Sequence, residues 1–145
     1  MEDVIKIIHK NKLIAFIIKA DFNKKGLEFF TPDRFHQQLA YMQRPKEYVI
    51  LAHRHPHVAR KIKFTQEVIF VRSGEVRVDF YDEKRHYVES RIVRKGDIVF
   101  LAFGGHGFEF IKGGEIIEVK QGPFSKKMQS VKFDPVKKEK LRIRK

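Results

Sequence analysis

Apolar and polar residues alternate with a period of two along most of this chain, which predicts strands rather than helices. Residues 4–9 (VIKIIH) and 13–19 (LIAFIIK) predict two strands on either side of a turn at HKNK. NKKG at 23–26 is a second turn, and the short apolar run 27–30 is broken by Thr31, Pro32 and Asp33. QQLAYMQ at 37–43 predicts a strand that halts at Arg44 and Pro45. Residues 47–55, rich in Tyr, Val, Ile and Leu, predict another that ends at Pro56.

The second half is more regular. Residues 63–72 and 75–81 predict two strands joined by a hairpin turn at Ser73–Gly74. In the second of these Val76, Val78 and Phe80 share a face. Residues 87–94, 98–102 and 108–111 follow, divided by turns at 82–85 and 95–97 and by a glycine-rich stretch around His106. Lys112, Gly113 and Gly114 predict a turn into the strand 115–120, and Gly122–Pro123 closes the core. Ten or eleven short strands with regular turns, and no amphipathic helix, predict an all-β sandwich or barrel. The expectation is a single domain over residues 1–125 with a basic tail over 126–145.

Composition adds limits. The chain has 145 residues and no cysteine, which excludes a disulfide framework or a thiolate metal site. The longest apolar run, LIAFII at 13–18, falls far short of the ~20 residues of a membrane-spanning helix. MEDVIKIIHKNK is too charged for a secretory signal. The expectation is therefore a cytoplasmic protein without a membrane partner. The 31 Lys+Arg against 18 Asp+Glu, net +13, attract anions such as phosphorylated small molecules. No nucleic-acid-binding motif accompanies that charge, and Trp is absent. The densest basic cluster lies at 137–145. Exposed sheet edges call for covering, so a homodimer through the N-terminal strands is expected.

Candidate chemistry centres on residues 48–74. His53, His55 and His57 alternate, so on an extended chain their imidazoles share a face. In the expected strand 63–72, Glu67 shares a row with Thr65, Ile69 and Val71. A carboxylate among core-facing apolar residues requires a partner. That partner is either a metal ion or a cation such as Arg54 or Arg60. His106, flanked by Gly105 and Gly107, is a further candidate ligand. Imidazoles with a carboxylate suit Fe, Mn, Ni or Zn. Pro56 bends the chain, so His53, His55, Glu67 and His106 form the leading metal set, with His57 as substitute. Gln38, Arg60, Phe108, Glu118 and Lys120 are candidate ligand-pocket residues. His9, His36 and His86 read as surface residues.

These spacings resemble the cupin superfamily. The HxH pair followed by Glu67, six residues and Gly74 is similar to the first cupin motif, with residues 56–63 as an inserted loop. Gly96, the strand 97–101, Gly104 and His106 are similar to the second. The run TQEVIFVRSGEVRVDFYD at 65–82 most resembles small single-domain cupins related to the sugar-nucleotide-modifying cupins of polysaccharide synthesis. The resemblance implies a cupin jelly roll (a double-stranded β-helix barrel) with extra N-terminal strands and a metal or ligand in its mouth. It implies a metal-binding protein that acts on or binds a small polar molecule, such as a sugar or nucleotide sugar. A non-catalytic ligand-binding module and a metal-free sugar-nucleotide isomerase or epimerase with a histidine base are the alternatives.

Overall fold

The structure, a computed structural model, describes residues 3–123, 125 and 130–144. The protein is all-β, with no α-helix among the described residues. It divides into two compact units, Met1–Phe22 with Thr65–Lys145 (unit 1) and Asn23–Phe64 (unit 2).

Unit 1 holds a curled seven-stranded sheet. It begins with β1 (Val4–His9) and β2 (Lys12–Ile18), antiparallel neighbours. Lys10 and Asn11 between them both have positive φ, 49° and 60°, the backbone of a two-residue hairpin whose twist matches its strands. β2 then pairs with β7 (Ile98–Leu101). The organising element is β5 (Glu67–Tyr81), 15 residues long. One edge of β5 takes β7 along 67–70 and β6 (Tyr87–Arg94) along 75–81. The turn between those two strands bonds the middle of β5: Gly96 N–H donates to the Val71 carbonyl (2.8 Å) and Val71 N–H to the Asp97 carbonyl (3.1 Å). The buried Asp97 carboxylate secures that turn by accepting from the N–H groups of Ala20 and Arg94 and from the Lys19 ammonium.

The other edge of β5 is covered along its whole length by β8 (Gly105–Lys120). The hairpin expected at Ser73–Gly74 and the turn expected at residues 112–114 are therefore not turns. They are facing irregularities inside one long ribbon, with register shifts on both sides of Gly74. The backbone explains why both are glycine. Gly74 has φ +81° and Gly114 +138°. A Cβ on Gly74 would lie 1.9 Å from the Gly113 carbonyl oxygen, and one on Gly114 2.2 Å from that of Ser73. The local signal of a turn and that of a bulge are the same glycine. Across this bulge the core-facing row changes parity, from Ile69 and Val71 to Val76, Val78 and Phe80.

These residues build the core with Ile7, Ile14, Ala15, Ile17, Val93, Val99 and Leu101. Each such aliphatic or aromatic side chain contributes about 1.5–3 kcal/mol when fully buried. Phe16 and Phe100 stack at 4.9 Å.

The described part of the basic C-terminal stretch packs on this sheet. β9 (Ile143–Arg144) pairs parallel with β6. Val136 N–H donates to the Tyr81 hydroxyl, and the Phe133 ring meets Tyr81 edge-on at 5.0 Å. Residues 126–129 and 145 of the expected tail lie outside the described residues.

In unit 2, β3 (Gly26–Phe29) pairs antiparallel with β4 (Ala40–Gln43). No strand forms between Gln43 and Glu67. The strand expected at 47–55 is interrupted at its start. Tyr48 N–H closes a turn onto the Pro45 carbonyl, Glu47 takes φ +66°, and the Arg44 guanidinium stacks over the Tyr48 ring. Among the described residues no helix is long and apolar enough to cross a membrane.

Candidate functional site

Glu67 opens β5 on the same row as Ile69 and Val71, and it is 91% removed from solvent. Register places Lys120 directly opposite it on β8, and His106 opposite Phe80 at the far end of the same ribbon. Glu67 and Phe80 are thirteen positions apart, which a straight strand would stretch over about 43 Å. Yet His106 Nε2 lies 3.1 Å from Glu67 Oε2. The β5–β8 ribbon therefore curls until its two ends meet, and the glycine bulge sits near its middle. The curl, rather than proximity in sequence, creates the site.

The cluster is charged and partly open. Lys120 Nζ lies 3.6 Å from Glu67 Oε1 and 2.5 Å from Glu118 Oε1. Burial pushes the Glu67 carboxyl up, but His106 and Lys120 outweigh it and hold it below its ordinary value. Glu118 raises Lys120, against a smaller effect of burial, and Glu67 adds to the rise. The His106 approach lacks the alignment of a hydrogen bond, so Oε2 of Glu67 has no hydrogen-bond partner among the described residues. Phe108 packs beside the imidazole with ring centroids 5.4 Å apart and continues into the core. The Glu67 side chain is enclosed, while about 29% of the His106 side chain and 31% of the Lys120 side chain reach solvent. Chemically, this is a histidine positioned by a buried carboxylate, with a lysine to balance the charge.

The structure thus brings together Glu67, His106, Phe108, Glu118 and Lys120. His53, His55 and His57 are all exposed in the irregular stretch 44–64 of unit 2. His53 Nδ1 is 2.8 Å from the Leu51 carbonyl, and its ring meets His55 at 5.3 Å. Within unit 1 the ion-pair partners of Glu67 are His106 and Lys120. Among the described residues no group of three or more His, Cys, Asp or Glu is placed to hold a metal ion. Glu67 and His106 alone offer two donors where a metal centre takes three or four.

Gln38 and Arg60 line a separate groove in unit 2, with Phe29, Asp33, Arg34, Phe35 and His36. Arg34, Asp33 and His36 were not indicated by strand parity, because they sit on a loop. The signal available was turn chemistry, TPD at 31–33 followed by Gln38. Comparison with protein-family models, with curated proteins and with solved structures finds no match for this chain.

Proposed function

We propose that unit 1 is a cupin-like module that takes a small polar molecule against Glu67, His106 and Lys120, and that His106 transfers a proton on that molecule. The observation that supports this is the 3.1 Å contact between the His106 imidazole and a buried carboxylate that shares a row with core residues. A carboxylate beside one ring nitrogen orients the imidazole, leaving the other nitrogen to face a ligand. Lys120 balances Glu67 and Glu118, and it supplies a cation for an oxygen that gains charge during proton removal. The motif resemblance directs the substrate class toward sugars and nucleotide sugars. The reaction class is proton removal from a carbon next to a carbonyl, as in an isomerase or epimerase.

The test is solvent-deuterium incorporation into keto-sugar nucleotides. The wild type exchanges, and His106→Asn lowers the rate by about 10²–10⁴-fold. Glu67→Gln lowers it as well, by disturbing the imidazole. Unchanged exchange in His106→Asn sinks the assignment.

The second reading is a metal centre, favoured by the buried Oε2 of Glu67, which has the His106 contact at 3.1 Å but no aligned hydrogen bond. Glu67 and His106 would hold the ion. A bound Fe, Mn, Ni or Zn ion would supply Lewis-acid chemistry. Metal content by inductively coupled plasma mass spectrometry decides between the two. Near-stoichiometric metal that is lost in both Glu67→Ala and His106→Ala supports the metal centre. Active protein without metal supports the proton-transfer site.

A further inference from the structure

The groove of unit 2 shares no lining residue with the Glu67 cluster and is built by its own local logic. Its volume is about 610 Å³, within the range of small-molecule sites. Phe29 ends β3, and the connection to β4 is a preformed loop rather than a loose one. The Gln38 side chain braces it: Oε1 accepts from the Thr31 hydroxyl at 2.8 Å, and Nε2 donates to the carbonyls of Phe35 (2.8 Å) and Pro32 (3.0 Å). Thr31 Oγ1 in turn accepts from Leu39 N–H at 3.1 Å, and Phe35 N–H donates to the Pro32 carbonyl at 2.9 Å. Both amide hydrogens of Gln38 are thereby committed, so Gln38 shapes the site and does not contact a ligand. Phe35 is buried, and this fixes its neighbours Arg34 and His36 in exposed positions on either side of it.

The lining has three chemistries at once. Arg34 and Arg60 are guanidiniums that make no ion pair with another described residue, and that of Arg34 lies over the Phe35 ring at 5.7 Å. Phe29 presents an exposed aromatic face (56%) to the same groove. Asp33 contributes a carboxylate acceptor for a hydroxyl. Two guanidiniums without ion pairs match a phosphate group. The phenyl face matches a planar apolar body, and the carboxylate matches a hydroxyl. We propose that this groove binds an organic phosphate with a planar body and at least one hydroxyl, of the nucleoside monophosphate type. Arg34 and Arg60 would hold the phosphate and Phe29 the ring.

The experiment is isothermal titration calorimetry of the full chain with adenosine 5′-monophosphate, inorganic phosphate and adenosine. The nucleotide is expected to bind more tightly than either fragment. Arg34→Gln and Arg60→Gln each weaken it about tenfold or more. Phe29→Ala weakens the nucleotide and leaves inorganic phosphate unaffected. Lys46→Gln, which removes an almost fully exposed cation from the same unit, leaves binding unchanged. Melting temperatures equal to the wild type show that the losses are not unfolding. The proposal is overturned if inorganic phosphate binds as tightly as the nucleotide, or if Lys46→Gln weakens binding as much as Arg34→Gln. Either result describes a diffuse basic surface. Loss of binding in Glu67→Gln overturns it too, by placing the nucleotide at the unit 1 cluster. Absence of heat with millimolar nucleotide does the same.

Discussion

Glu67 sits where an isolated carboxylate would be expensive, and its partners determine how it responds to pH. Burial alone would favour the protonated form. His106 at 3.1 Å and Lys120 at 3.6 Å reverse that and depress its folded pKa. A depressed folded value means that the unfolded state binds the proton more readily. The stabilisation is therefore fully present above the unfolded carboxylate value of about 4. It is lost as pH falls through the lower folded value. Asp82 behaves in the same direction: burial raises it, and the backbone and side chain of His86 lower it further than that. Urea unfolding from pH 7 down to pH 2 should show stability falling on the acid side of pH 4. In Glu67→Gln that acid loss should be shallower, at a cost of about 1–2 kcal/mol at neutral pH. An acid limb as steep in the variant as in the wild type would show that Glu67 is not depressed by its neighbours. At this scale much was legible. Alternation put Glu67 in an apolar row, and a carboxylate in such a row must have a partner. The partner's identity was not legible, because Lys120 and His106 are 53 and 39 positions away and only the strand register brings them near.

The β5–β8 ribbon is where local sequence misleads most, because glycine serves turns and bulges alike. Ser73–Gly74 and Lys112–Gly113–Gly114 each carry a turn signature, and neither reveals that the two stretches face each other. Once paired, they become a single device that bends the ribbon and lets its ends approach. The glycines are not equivalent within it. Gly74→Ala would place Cβ 1.9 Å from the Gly113 carbonyl oxygen, against backbone that cannot step aside, and also strains φ +81°. Gly113→Ala has nothing within 4 Å of its new Cβ and bears only the φ of +66°. The expected costs are about 1–2 kcal/mol for Gly113→Ala and more than about 3 kcal/mol for Gly74→Ala, where the clash adds to the strain. Denaturant titration measures both. The Gly74 variant should also weaken the Glu67–His106 contact, seen as a changed His106 imidazole resonance by NMR, while Gly113→Ala leaves it in place. Equal costs at the two positions would mean that the close approach of Ser73–Gly74 to Gly113–Gly114 does not hold in solution. Elsewhere the expected strands match β1, β2, β6 and β7 closely; in β2 and β7 the signal is a continuous apolar run, because Ile14–Ile18 and Val99–Leu101 are buried on both faces.

The two units differ in how their backbone is satisfied, and this sets a gradient of stability across the molecule. In unit 1 nearly every strand has neighbours, and β5 is paired along both edges. Opening the amides of Ile69, Val78 or Val99 requires dismantling the core they line. Unit 2 has one two-stranded pair and a long irregular stretch in which Tyr48, Val49, Ile50 and Leu51 are all exposed. That run has high strand propensity and was expected to form a strand, but propensity yields to context when the chain supplies no paired edge. The same context explains why His53, His55 and His57, aligned by alternation on paper, stand on no sheet face. Free energies of local opening follow buried contacts and hydrogen bonding. Hydrogen–deuterium exchange should therefore find peptides within 49–64 exchanging within seconds, and β5 and β7 protected up to the global unfolding free energy. Adding Fe, Mn, Ni or Zn to the same measurement makes it a test of function. If Glu67 and His106 hold an ion, protection must rise at 67–70 and at 105–108 together, because one bound ion would tether both stretches. If the site works without metal, both stretches exchange alike whichever ion is added, while a nucleotide held by Arg34 and Arg60 slows residues 30–38 and the segment around 60 alone.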